Sequence, residues 1–230
     1  MQSIFQNRLL RSLSEHDLES LVQHWQPVDL RVGQILETAN DPIDNVYFPE
    51  SGRISVVTST NNAQVETGMI GFEGMTGLAV VLGNHQSPSE TCVQLEGRAH
   101  KMPSARLREI LVAQPQLRLR LQRYALVSMC QVSQSALANA RATLETRLVR
   151  WLLMAQDRHL EDELHITHEF LSVALCVRRA GVTDAIHALE SKGVIEASRG
   201  AIRIVKRNAL ITLSNGTYGL PEAEYERLLG

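Results

Sequence analysis

Read from its beginning, the chain shows three textures of apolar and polar positions. Residues 12–25, SLSEHDLESLVQHW, place Leu18, Leu21, Val22 and Trp25 at helical spacing and predict a buried stripe. Ser14 is a good N-cap, and Glu15 and Asp17 fall in the first turn, where negative charge meets the positive end of the helix dipole. From Pro27 to Pro103 the helical period disappears. Short apolar runs follow one another: QILE, NVYFPE, RISVVTS, VETGMI, LAVVL, TCVQL and RAHKM. Eight of the chain's 14 glycines lie in this span and separate the runs. Short runs between regular turn signals predict the strands of a sandwich or barrel. STNNAQ at 59–64 reads as a hairpin turn, because Asn tolerates positive φ.

From Ser104 the pattern turns helical. SARLREILVAQ, 104–114, is a short helix, and Pro115 suits the first turn of the next. That second helix runs to about 142 without a further Gly or Pro. It carries two apolar or small series: Leu119, Leu126, Met129, Ser133, Ala136 and Ala140, and Leu117, Leu121, Tyr124 and Ser128. A helix apolar on two sides must be covered on two sides. One stripe is expected on the chain's own β region. The other either meets a second copy as a short coiled coil or is also buried within the monomer. Residues 142–159 form a further helix, with Leu144, Leu148, Trp151, Leu152 and Ala155 on one face. EDELH follows as an acidic join.

Residues 167–207 then hold two short helices, a tight join and a basic hairpin. Thr167 caps the first, whose apolar face is Phe170, Leu171, Ala174 and Leu175. The join falls at Cys176 and Val177. The second helix, about 178–192, buries Val182, Ala185, Ile186 and Leu189. Ala180, Asp184, His187 and Ser191 fall on the opposite side, Arg179 and Thr183 flank that side, and Gly193 stops the helix. VIEASRGAIRIV reads as strand–turn–strand with Ser198, Arg199 and Gly200 at the tip. This is the pattern of a winged helix-turn-helix. Its second helix is suited to a DNA major groove, and Arg199, Arg203, Lys206 and Arg207 sit where phosphates would pass. The alternative is a winged helix used only for protein contacts.

Charge supports the first reading only locally. The net charge is −2, but residues 1–110 carry 8 Lys/Arg against 13 Asp/Glu, residues 111–160 carry 7 against 2, and residues 177–207 carry 7 against 3. The front is acidic and the rear basic. Apolar residues make up 44% of the 230, enough for a core. No apolar run approaches the ~18 residues of a membrane span, and the N-terminus lacks a signal-peptide pattern, so the chain reads as a cytoplasmic protein. Cys92, Cys130 and Cys176 are odd in number and widely spaced, which argues against a disulfide framework or a metal site. Cys130 reads as a core thiol and Cys92 as a strand residue. His165 and His168 read as a solvated pair. His85 and His100, the histidines of the β region, are too few for a cupin-like metal enzyme. The glycine-rich GMIGFEGMTG lacks the Lys-Ser/Thr of a nucleotide P-loop. No catalytic constellation, cofactor or metal site is expected.

In order and spacing the chain resembles the Crp/Fnr family of bacterial transcription regulators over nearly its whole length. LSEHDLESL, PIDNVYFPESGRISVV and GMIGFEGMTGLAVVLG resemble the family's leading helix and β-roll. The long helix resembles its dimerisation helix, and ITHEFLSVALCVRRAGVTDAIHALESKGVIEASRGAIRI its winged helix-turn-helix. The resemblance implies an α+β protein. Residues 1–114 would be a jelly-roll-like sensory β-roll, 115–142 a dimerisation helix and 143–230 a winged helix-turn-helix domain. It further implies a homodimer on a near-palindromic double-stranded DNA operator, with RNA polymerase as a partner if it activates. DNA contacts would come from Thr167, Arg178, Arg179, Thr183, Asp184, His187, Ser198, Arg199 and Arg203, and helix pairing from Leu119, Leu126, Met129, Ser133, Ala136 and Ala140. An effector pocket would involve Met75, Gly77, Leu78, Glu90, Thr91 and Tyr124.

Three departures narrow this expectation. Members that bind cyclic nucleotide carry a Gly-Glu pair and a later Arg followed by Ser or Thr. Here Leu78 follows Gly77, and Glu90 precedes Thr91, so a carboxylate would face the phosphate. The four-cysteine set of the oxygen-sensing branch is missing. The usual turn glycine is Cys176, at a cost on the order of 1 kcal/mol if the residue is left-handed. Arg179 matches a position that reads guanine. Ala180 and Asp184 replace a common Glu and Arg, so the operator should differ from the best-known one. Asp184 either accepts from a cytosine amine or excludes phosphate.

Overall fold

The computed structural model describes residues 5–61 and 63–230. Asn7 opens helix α1 (Arg8–Arg11), accepting the Leu10 N–H at 3.0 Å while its own amide donates to the Pro49 and Gly74 carbonyls. Helix α2 (Glu15–Val22) is capped by Ser14 as expected. It ends earlier than predicted, so Val22 is exposed, and Trp25 instead stacks on His100.

The glycine-punctuated span is a roll of two antiparallel sheets. One orders β1 (Gln26–Leu30), β7 (Gly97–Pro103) and β3 (Asn45–Pro49). The other orders β2 (Ile35–Glu37), β6 (Glu90–Leu95), β4 (Arg53–Thr60) and β5 (Ala63–Ile70). Leu30, Tyr47, Ile54, Ile70, Val93 and Ala99 fill the space between them. The β4–β5 hairpin closes where Thr60 pairs Ala63. Of its two turn residues Asn62 lies outside the described residues, and Asn61 is not left-handed. One expected strand is a helix: LAVVL forms the single turn α3 (Leu78–Val81). A five-residue apolar run carries no period of its own. Here Gly77, at φ 79, is the left-handed N-cap from which the helix starts.

The glycine-rich loop is a packing cradle. A Cβ on Gly74 would lie 1.7 Å from the Tyr124 hydroxyl, and one on Gly77 would lie 2.3 Å from Val46 Cγ1. Tyr124 sits on the long helix α5 (Pro115–Arg141), which follows α4 (Ser104–Ala113). Leu117, Leu121 and Tyr124 of α5 are buried against the roll. The other stripe is free: Leu119, Leu126 and Met129 are 44%, 50% and 59% exposed, and Ser133, Ala136 and Ala140 are exposed as well.

Helix α6 (Leu144–Asp157) starts from a Thr143 cap and opens the C-terminal core. Leu148, Trp151, Leu152 and Ala155 pack there with Leu171, Val182, Ile186 and Leu189. Strand β8 (Glu163–His165) corrects the acidic join. Its one inward residue, Leu164, is buried, and it pairs the hairpin as a third strand. Helices α7 (His168–Ala174) and α8 (Arg179–Ser191) follow, then β9 (Ile195–Ser198), β10 (Ala201–Ile204), α9 (Arg207–Leu213) and α10 (Leu220–Leu229). Helix α10 leaves the C-terminal core. It returns along α5, and Tyr225 and Leu229 are buried with α1, α4 and α5 residues of the N-terminal core.

Candidate nucleic-acid interface and effector cavity

The two helices of the head are fixed at their shared corner. Thr167 caps α7 by accepting the Phe170 N–H at 3.1 Å. At the far end the Val177 N–H reaches the Ser172 carbonyl at 2.9 Å and the Cys176 N–H the Val173 carbonyl at 3.0 Å. This is the hydrogen-bond pair of a Schellman stop, which requires a left-handed residue. Cys176 supplies it at φ 51, as its replacement of the usual glycine implied.

Helix α8 buries Val182, Ala185, Ile186 and Leu189 and presents Arg179, Ala180, Asp184, His187 and Ser191 outward. Arg178 is its exposed N-cap residue and makes no side-chain cap hydrogen bond. Thr183 is half-buried. Its hydroxyl meets His168 Nδ1 at 3.0 Å and donates to the Arg179 carbonyl at 3.2 Å. His168 therefore links the two helices and is not half of a solvated pair; His165 lies apart from it on β8.

The wing is the β9–β10 hairpin, with Ser198, Arg199 and Gly200 exposed at its tip. Arg203 is exposed on β10 and pairs with Glu196 across the hairpin. Arg207, expected beside it on the phosphate path, is instead tied to the end of α6, with its side chain 36% exposed. Its guanidinium donates to Gln156 Oε1 at 2.5 Å, Asp157 Oδ1 at 2.6 Å and the Tyr218 hydroxyl at 2.6 Å. It opens a helix over the end of α6, and three acceptors there outcompete solvent.

In the roll, a cavity of about 520 Å³ lies between the sheet of β2, β6, β4 and β5, helix α3 and helix α5. Gly77, Leu78 and Thr91 line it as expected. Met75, Glu90 and Tyr124 do not. Met75 is fully buried in the core, Tyr124 faces the opposite side of α5 toward Gly74, and Glu90 stands on β6 outside the cavity wall. The carboxylate at this cavity is Glu37, which sequence reasoning missed. Glu37 Oε1 accepts the Gly77 N–H at 2.6 Å, with the Thr76 and Ser87 hydroxyls beside it. Burial raises its pKa above the usual carboxylate value, against the lowering effect of those bonds. A signal was available: Glu37 ends a strand at an inward position, where a charged residue is unusual.

Between roll and head runs a buried polar seam that the sequence did not announce. Glu66 of β5 accepts from Trp151 Nε1 at 2.7 Å and from the Ser55 hydroxyl, and Arg53 lies over the Trp151 ring. Burial brings Arg53 down to about 10. Glu73 of the glycine-rich loop accepts from Arg158 Nε at 2.6 Å.

A search of curated protein sequences finds no match. Residues 146–213 match the Crp-like helix-turn-helix domain. Solved structures resemble nearly the whole chain at low identity. The c-di-GMP-responsive global regulator CLP of Xanthomonas campestris matches at a TM-score of 0.67 and 13% identity, over 83% of this chain and 99% of that one. A Crp/Fnr-family transcriptional regulator of Thermus thermophilus matches at 0.67 and 18%, over 84% and 100%. FixK2 from Bradyrhizobium japonicum matches at 0.68 and 12%, over 82% and 96%. The chain thus carries a Crp-like helix-turn-helix domain on the fold of the Crp/Fnr transcription regulators, a cyclic-nucleotide-binding-like roll joined by a long helix to a winged helix-turn-helix head.

Proposed function

We propose that the protein is a dimeric, sequence-specific DNA-binding transcription regulator whose roll senses an effector other than cyclic AMP. The observation that carries the reading is the outward face of α8. Arg179, Ala180, Asp184 and His187 are exposed on it, and the wing that follows is tipped by the exposed Arg199. Arg179 reads guanine with its guanidinium fork. Asp184 sets the operator apart, by accepting from a cytosine amine or by refusing phosphate. Thr183 acts through the register that His168 gives it, and Thr167, Arg178, Ser198, Arg199 and Arg203 meet the backbone.

Two copies pair along the exposed α5 stripe of Leu119, Leu126, Met129, Ser133, Ala136 and Ala140. This places two recognition helices on half-sites about one turn, ~34 Å, apart. Residues 1–114 form the sensory unit, 115–142 the pairing helix and 143–230 the head, with α10 reaching back onto the sensory side. As an activator it would meet RNA polymerase. Among the described residues no Lys, Arg or His lines the cavity, and this with the presence of Glu37 supports an effector other than an anionic nucleotide.

Selection of bound DNA from a random pool tests the reading. A near-palindrome with half-sites one turn apart is expected. Arg179→Ala should relax one base pair per half-site, a discrimination of about 1–3 kcal/mol. Unchanged sequence preference in that variant would reject the assignment of α8 as the reading helix.

A further inference from the structure

Among the described residues that line the roll cavity, Glu37 is the one ionisable group; no Lys, Arg or His is present. An anion entering this space would lose its water and meet a carboxylate, with no cation to offset either cost. The remaining walls are mostly aliphatic, with Val56 of β4, Leu78 and Leu82 of the α3 turn, and Ala125, Met129 and Val132 of α5. A small molecule with a large apolar surface is favoured by such walls, and about 520 Å³ lies in the ~300–1,000 Å³ range of ligand pockets.

Polar side chains interrupt the apolar lining, Ser87, Ser128 and Gln131 among them, and two stand out. Thr91 is 3% exposed, lines the cavity and has no hydrogen-bond partner for Oγ1. A buried hydroxyl left unpaired costs free energy that a ligand hydrogen bond recovers. Glu37 is 6% exposed and holds the Gly77 N–H with one oxygen. The Thr76 and Ser87 hydroxyls also bond this carboxylate, so a ligand donor would share its remaining lone pairs. The rim residues Leu82 and Val132 are 57% and 42% exposed in the single chain, and the rim also includes Met129 of the stripe proposed to pair, so the cavity opens beside that pairing face.

We propose that this cavity binds an uncharged, mainly apolar small molecule carrying a hydrogen-bonding group for Thr91 and a donor for Glu37, and that it refuses anions, cyclic nucleotides included. The inference deepens the reading of the roll as the sensory part and names the chemical class it takes. Glu37 is the discriminating residue: it tolerates a neutral donor and repels a phosphate or sulfonate.

Two fluorescent probes with the same aromatic skeleton test this on the full-length protein. Phenylnaphthylamine is uncharged and carries one N–H; anilinonaphthalene sulfonate adds a sulfonate. The neutral probe should bind saturably at about one per chain with a blue-shifted emission. The sulfonate should bind at least tenfold more weakly, and cyclic AMP should not displace the neutral probe. Leu82→Trp and Val132→Trp, both on the exposed rim and each checked by circular dichroism, should weaken the neutral probe at least tenfold. Glu37→Gln should tighten the sulfonate severalfold relative to the neutral probe. Equal binding of both probes, displacement by cyclic AMP, no binding of the neutral probe, or full binding by a folded rim variant would each overturn the proposal. Operator binding, measured on the same samples by gel shift, separates the two readings. Lost DNA binding with intact probe selectivity sinks the regulator and leaves the cavity. Intact DNA binding without probe binding does the reverse.

Discussion

Replacing Arg158 by Met should destabilise the protein by about 3–4 kcal/mol at pH 7. Arg158 and Glu73 are 7% and 8% exposed. The guanidinium donates to Glu73 Oε1 at 2.6 Å and to the Met154 carbonyl at 3.0 Å. The other Glu73 oxygen accepts the Gly71 N–H at 3.0 Å. Burial works to strip the guanidinium of its proton, but Glu73, Glu222 and Asp157 outweigh it and hold Arg158 above the usual arginine range. Met fills much the same volume, so the main loss is electrostatic. A stranded carboxylate escapes by taking up a proton. For an ordinary carboxyl this costs about 1.4 kcal/mol per pH unit above a pKa near 4.3, or about 3.7 kcal/mol at pH 7 and about 1 kcal/mol at pH 5. The loss relative to the parent should therefore shrink threefold or more between those pH values. Adding Glu73→Gln to Arg158→Met should restore most of the stability, because it removes the charge that was stranded. Urea denaturation followed by far-ultraviolet circular dichroism at both pH values measures all three variants. A loss below 1 kcal/mol at pH 7, or one that does not change with pH, would refute the reasoning.

Three further outcomes are expected. Cys176→Gly should raise stability by up to about 1 kcal/mol in a thermal melt, because relief of a left-handed residue, ~1–2 kcal/mol, exceeds the ~0.4–1 kcal/mol of freedom that glycine gives the unfolded chain; a lower melting temperature contradicts this. Burial raises the Glu37 pKa above its unfolded value near 4.5, so its stability is fullest below that value and declines as pH rises through the folded pKa. Glu37→Gln should accordingly melt higher than the parent at pH 7–8, with the gain vanishing toward pH 4, and a gain that grows in acid would reverse the sign. Leu126→Glu combined with Met129→Glu should convert the proposed dimer to monomer in sedimentation and weaken operator binding at least tenfold; an unchanged dimer would place the interface elsewhere.

Much of the architecture was legible because it is written in periods and punctuation. The eight glycines of the roll, the two staggered stripes of α5 and the capped pair at 167–193 each state a local rule that the folded chain obeys. The Cys176 anomaly was legible for the same reason: a Schellman stop needs a left-handed residue at that offset, and φ 51 supplies it. What stayed hidden depends on which faces meet. Glu90 and Glu37 lie on neighbouring strands of one sheet, and only the assembled register puts Glu37 at the cavity wall and leaves Glu90 outside it. Met75 and Tyr124 were expected at a pocket from the family resemblance, yet both serve the core on the far side of α5. LAVVL was too short for any period to separate strand from helix. The signals of α10 were present in LPEAEYERLL, with Pro221 in the first turn, Glu222 accepting the Gly219 N–H at 3.1 Å, and Tyr225 and Leu229 four apart. Their destination, the core of the N-terminal half, is a tertiary fact.

That destination bears on how an occupant of the roll could reach the head. Each carboxylate of the seam comes from the roll side, Glu66 or Glu73, and each is held by a side chain of α6 or its C-cap, Trp151 or Arg158. Burying charge in this way adds little net stability, but it penalises every pose that parts the partners. Gln131 of α5 joins this seam to the cavity. Its side-chain oxygen accepts the Met69 N–H at 2.6 Å on the cavity wall, and its backbone carbonyl accepts from Arg150 of α6 at 3.3 Å. Arg150 in turn donates to the Thr217 carbonyl at 2.9 Å, just before α10. In the proposed regulator, a ligand that moves β5 or α5 by a few tenths of an ångström must therefore strain or relax bonds that fix the head. The ligand changes the balance of poses only by the difference in its affinity for them, about 1.4 kcal/mol for each tenfold preference. A seam of buried, directional bonds turns a small displacement into an energy of that size, whereas a greasy contact of equal area would slide.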